Sequence, residues 1–180
     1  MLNRKKCGMA LALILGLEVL SVDANAASTD TETTKIHFIS LYGNSDAVLL
    51  ESNGHYGMID SGEDWDYPSG EDERYPLRAG TTTNIGFEQQ VIHYLKQMGV
   101  EKLDFYLGTH AHSDHIGSGD EILNHFKVNR LYIGEYDDSY QLDSYGDKPD
   151  SQYYYPEVQE NKLWDNQYVY DNLINAAKQN

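Results

Sequence analysis

The chain has 180 residues and a formal charge of −16, from 13 basic and 29 acidic side chains. With 40% hydrophobic and 23% charged residues it has the balance of one folded domain, not of a disordered chain. The excess of acid speaks against a nucleic-acid partner, whose phosphates need clustered Lys and Arg, and against a polybasic membrane-surface protein.

In chain order, residues 1–26 read as a secretory signal peptide. Arg4, Lys5 and Lys6 open it, an apolar run from Gly8 to Leu20 follows with Glu18 as its one break, and Ala24-Asn25-Ala26 gives a small-x-small cleavage pattern. The run is short of the roughly 20 apolar residues that a membrane span needs. The expected product is secreted or at the cell surface, with no transmembrane segment after cleavage. Cys7, the single cysteine, precedes the run, so the processed chain has no disulfide and must depend on a packed core or a bound metal.

Residues 27–34 are small and polar and read as a flexible start, and residues 35–180 as one domain. Alternation from Lys35 to Leu41 and apolar runs at Ala47 to Glu51 and Tyr56 to Asp60 predict three antiparallel strands, with Asn53-Gly54 as a hairpin turn. Residues 61–83 lack periodicity and read as a long functional loop. Phe87, Val91, Leu95 and Met98 form one apolar stripe and predict a helix from Asn84, its cap, to Met98, closed by Gly99. Lys102 to Thr109 is a predicted strand with Leu103, Phe105 and Leu107 on one face. Ser118 and Glu121 have capping-box spacing before a short helix, and Val128 to Ile133 is the next strand. This order is the unit of a parallel sheet. Residues 134–161 read as a Tyr- and Asp-rich loop. A helix is predicted from Leu163 to about Lys178, with Leu163, Tyr170, Ile174 and Ala177 on one side.

The informative segment is Thr109-His110-Ala111-His112-Ser113-Asp114-His115-Ile116-Gly117, three histidines and an aspartate within six residues. It leaves the end of a predicted parallel strand, where open α/β sheets bind ligands. Neutral imidazole and carboxylate are good ligands for zinc. On an extended backbone His110 and His112 aim the same way, while Asp114 and His115, on the next turn, can face a second ion. Two metals a few Å apart clamp a phosphoryl or acyl group. A lone His-x-His is common; this cluster with its strand and capped helix is not.

The segment resembles the signature of the metallo-β-lactamase superfamily, and Met58-Ile59-Asp60-Ser61-Gly62 resembles that family's Asp-x-Gly turn. The resemblance implies an α/β fold, the αββα sandwich, here only its first half. It implies His110 and His112 on a first metal, Asp114 and His115 on a second, and Asp60 supporting them. The stretches Ile36 to Ser40, Ala47 to His55, Ile59 to Asp64, Arg74 to Arg78, Leu103 to Phe105 and Leu163 to Asn166 are similar to the catalytic modules of phosphorylcholine esterases. That resemblance implies an exported phosphoric-diester hydrolase with two Zn2+ ions, acting on choline-bearing teichoic or lipoteichoic acid, with Asp114 orienting or deprotonating the attacking water. The superfamily takes further ligands from later in its fold, and no histidine follows His125 here. Two ligands per cation, where catalytic zinc has three, imply weak or partial occupancy, and the chain reads as a truncated form.

Trp65, with Asp64 and Asp66, and the many tyrosines are candidates for holding a quaternary ammonium by cation–π attraction, although ordinary packing explains most aromatic residues. His37, His55, His93 and His125 read as structural or surface residues, and the acidic run from Glu63 to Glu73 as a solvated face. Two alternatives stand beside the esterase: another hydrolase of this fold (a lactonase, a β-lactamase or a competence-type domain), and a non-catalytic binder of choline-bearing polymer.

Overall fold

The structure is a computed structural model that describes residues 33–139 and 162–180. The leader, most of the flexible start and the tyrosines from Tyr140 to Tyr155 lie outside the described residues.

Strands β1 (Thr34–Phe38), β2 (Ala47–Ser52) and β3 (His55–Ser61) form the expected antiparallel start. Asn53 (φ 52°) and Gly54 (φ 77°) both occupy the left-handed region that a two-residue hairpin demands, which sets Ser52 opposite His55. Helix α1 (Glu88–Gln97) begins later than Asn84. Asn84 does not cap it: its φ is 61° and its amide bonds Thr83. Phe87 opens the helix instead, donating its N–H to the Glu63 carbonyl at 2.8 Å. Gly99 closes α1 with φ 74°.

The single strand expected after α1 is two, β4 (Lys102–Leu103) and β5 (Phe105–Leu107). Asp104 interrupts it. Its N–H donates to Tyr56 O at 2.7 Å and its carboxylate pairs with His55 Nδ1 at 2.6 Å. The interruption shifts the alternation by one residue. Leu103 and Tyr106 are fully buried, whereas Phe105 and Leu107, expected beside Leu103, lie on the other face.

The one-turn helix α2 (Ser113–Ile116) and helix α3 (Gly119–His125) follow, then β6 (Lys127–Val128) and β7 (Leu131–Tyr132). The capping box does not form, because Ser118 is fully buried and its hydroxyl donates to the Glu63 carbonyl at 2.8 Å. Helix α4 (Asn166–Gln179) buries Val169, Leu173 and Ala176, one residue out of phase with the expected face.

The main sheet runs β1-β2-β3-β5-β7, with β3, β5 and β7 parallel, and β4 pairs β6 separately. Helices α1, α3 and α4 pack on the face bearing Leu49, Met58 and Tyr106. The opposite face carries Ile36, Phe38, Val48, Leu50, Ile59, Phe105, Leu107 and Tyr132. Among the described residues no second layer covers it, and Phe38 is 81% exposed. The described residues thus form one helical and one sheet layer, a partial metallo-β-lactamase-like α/β fold. No described helix is long and apolar enough to cross a membrane.

Candidate metal centre

The candidate site forms where the carboxyl ends of β3 and β5 meet. Asp60, near the end of β3, holds φ 54°, a left-handed conformation that costs a non-glycine residue energy and persists only when its surroundings impose it. They do. Its buried carboxylate accepts the Thr109 N–H at 2.8 Å and the Thr109 hydroxyl at 2.7 Å, and meets His115 Nδ1 at 2.9 Å. The Gly62 N–H donates to His115 O, and the Ser118 N–H to Gly62 O. Gly117 permits this close approach: a Cβ there would lie 2.5 Å from Ser113 O and 2.9 Å from Asp64 N.

With Nδ1 held by Asp60, His115 presents Nε2 outward. That atom is 4.0 Å from Asp114 Oδ2 and 3.9 Å from Asp46 Oδ2. Asp46 was not legible in the sequence, where Asn44-Ser45-Asp46 is an unremarkable loop. Its placement follows from a backbone bond, Asp46 N–H to Asp114 O at 3.0 Å.

His110 and His112 form the other pair. Their Nε2 and Nδ1 atoms are 2.9 Å apart, and His110 Nδ1 lies 3.0 Å from Thr109 Oγ1. Between centroids the His110 ring is 4.0 Å from that of His115, and the His112 and Trp164 rings meet edge to face at 4.7 Å. Both imidazoles titrate below the ordinary histidine range. Burial is the main cause, followed by the neighbouring ring, His115 for His110 and His110 for His112. Both effects favour the neutral form, which is the one that ligates metal.

Two imidazole nitrogens on one tetrahedral zinc stand roughly 3.3 Å apart, from Zn–N distances of 2.0–2.1 Å. The 2.9 Å separation is near that value, and a carboxylate behind a ligating histidine, as Asp60 stands behind His115, is the usual support for such a ligand. The donor types and their pairing fit zinc. They come as pairs, however. Among the described residues, three donor atoms within 4.8 Å of one another occur only at Asp64, Asp120 and Glu121.

Two clefts flank the histidines. One, of about 310 Å³, is lined by Tyr42, Glu63, Phe87, Ser113, Asp114 and Trp164 among others. The other, of about 250 Å³, is lined by His110, His112, Tyr136 and Lys162. Burial pushes the Glu63 carboxyl up to about 7, against the opposing pull of the Ser113 hydroxyl. Trp65 is half exposed, packs on Gly86 and is not among the cleft-lining residues. Asp64 is buried, with its carboxylate by Asp120 and Glu121. The structure therefore brings His110, His112, Asp114, His115 and Asp60 together, and leaves Trp65 and Asp64 outside that group. Tyr42 and Trp164, which line the larger cleft with Phe87, could not be singled out from spacing, because they lie far apart in the chain.

The family model of the metallo-beta-lactamase superfamily matches residues 42–168, a span that holds both the Asp60 turn and the histidine cluster. ComE operon protein 3 of Bacillus subtilis (strain 168) is 32% identical over 127 residues, 71% of this chain. The chain spans about 15% of that relative's length.

Proposed function

The chain belongs to the metallo-beta-lactamase superfamily, and we propose that it is a metal-dependent hydrolase of phosphoric esters whose substrate is phosphorylcholine on teichoic or lipoteichoic acid. The observation that carries this reading is the pairing of His110 with His112 and of His115 with Asp60, beside a cleft with aromatic and acidic walls.

His110 and His112 would hold one zinc ion, and His115 and Asp114 a second, with Asp46 close to the latter pair. Bound zinc supplies hydroxide at neutral pH and offsets charge on phosphoryl oxygens. Asp60 holds the His115 ring with its outer nitrogen free. Asp114 orients the attacking water and accepts its proton. Lys162, on the cleft shared by His110 and His112, offers a cation to a phosphoryl oxygen. Tyr42 and Trp164 present aromatic faces near Glu63, a setting that suits a trimethylammonium group. Export directed by residues 1–26 would bring the chain to cell-wall polymers.

A competence-type hydrolase is the second reading, favoured by the likeness to ComE operon protein 3. The charge of −16 weighs against a nucleic-acid substrate for it. Turnover of a chromogenic phosphorylcholine ester, a lactone, a β-lactam and single-stranded DNA at saturating zinc separates these readings. The esterase reading expects the phosphorylcholine ester to be fastest, with a loss of at least about 100-fold in His110→Ala and in His112→Ala. Preference for any other substrate, or no turnover at all, contradicts it. Retention on choline resin in both variants, with an inactive parent, would identify a binder instead.

A further inference from the structure

Asp64, Asp120 and Glu121 stand apart from the histidine set, and one oxygen from each lies within 4.8 Å of the others. Asp64 is only 4% exposed, and both its oxygens lack a hydrogen-bond partner among the described residues. Asp120 Oδ1, Glu121 Oε2 and Glu88 Oε2 are likewise buried and unpartnered. The charged neighbours that act on Asp64 are all acidic: Glu121, Asp120, Glu63 and Asp66. A buried carboxylate needs a counter-charge or a proton, and here no Lys or Arg among the described residues pairs with the group.

We propose that Asp64, Asp120 and Glu121 bind a hard divalent cation, calcium, which ties the loop after β3 to the first turn of α3. The donor set is oxygen alone, which suits calcium and disfavours zinc. A spread within 4.8 Å matches calcium–oxygen distances of about 2.3–2.6 Å on opposite sides of an ion. Magnesium needs a tighter octahedron and keeps several waters. The tie has a structural consequence. Gly62 and Glu63, immediately before Asp64, bond His115 and Ser118 through the backbone, and Glu63 lines the larger cleft. Calcium would thus brace one wall of that cleft.

The test uses the full chain after treatment with a chelator. Terbium, a calcium surrogate, is excited through tryptophan, and Trp65 adjoins Asp64. Terbium luminescence that calcium displaces, together with an unfolding midpoint that climbs as millimolar calcium is added, is the expected result. Asp64→Asn and, separately, Glu121→Gln should weaken calcium binding at least about tenfold, since affinity follows ligand charge. His110→Ala and His112→Ala should leave it unchanged, so the outcome is independent of the hydrolase reading. An unfolding midpoint indifferent to calcium, or calcium binding that survives Asp64→Asn and Glu121→Gln undiminished, overturns the proposal.

Discussion

Asp60 does two jobs with one carboxylate: it stabilises its own left-handed backbone through Thr109, and it fixes the ring of His115. Asparagine tolerates the same conformation but carries no charge to set the imidazole. Asp60→Asn is therefore expected to fold and to lose about 10- to 100-fold in zinc affinity at the His115 position, measured by competition with a chromophoric chelator. Gly57 is constrained differently. A Cβ there would strike the Phe105 ring, so Gly57→Ala should destabilise by about 1–3 kcal/mol in denaturant unfolding, the usual cost of overpacking. The histidines and Asp60 were legible in the sequence because the chemistry lies in one short run and one turn. Asp46 was not, since its position depends on a loop bond to Asp114, and the burial of Asp64 was hidden inside a run of acids that looks solvated.

Among the elements, the hairpin was legible from Asn53-Gly54, and the strand–helix–strand unit from alternation followed by a helical period. The break at Asp104 was not, because Lys102 to Thr109 alternates without interruption on paper. The cause is long-range, in Tyr56 and His55. The face of α4 was misread by one residue for a similar reason: Tyr170 and Ile174 are apolar enough to pass for the core side. Tyr170 is partly buried and packs against the core without joining its buried residues, and Ile174 is only partly buried and lies outside it. Leu173→Ala should cost about 2–5 kcal/mol, because Leu173 is fully buried, and Ile174→Ala clearly less, both by denaturant unfolding. Asp64, in the loop after β3 and against the first turn of α3, makes stability depend on pH. Asp64 has its folded pKa raised to about 10, mainly by burial and then by Glu121, Asp120, Glu63 and Asp66, while the unfolded value is about 3.9. The folded state binds the proton more tightly, so this group's contribution is full below about pH 4 and declines as pH rises toward 10. Asp64→Asn does not titrate. In calcium-free buffer its stability relative to the parent should improve steadily between about pH 5 and pH 9, and a flat difference would contradict the burial of an ionisable Asp64.

Across the described residues, helices cover one face of the sheet and no second layer covers the other. Ile36, Phe38 and Tyr132 are 59%, 81% and 47% exposed. Apolar area of this extent promotes association. Phe38→Lys should reduce self-association in sedimentation velocity, and an unchanged profile would mean that the face is covered in solution. The same layer brings β3 and β5 side by side and so sets Asp60 against Thr109 and His115, which links the architecture to the proposed chemistry. X-ray absorption at the zinc edge on the zinc-loaded chain addresses that link most directly. A shell containing imidazole nitrogens, reduced when His110 and His112 are both replaced by alanine, is the predicted result. A shell of oxygens alone, or one that the double replacement leaves unaltered, would contradict it.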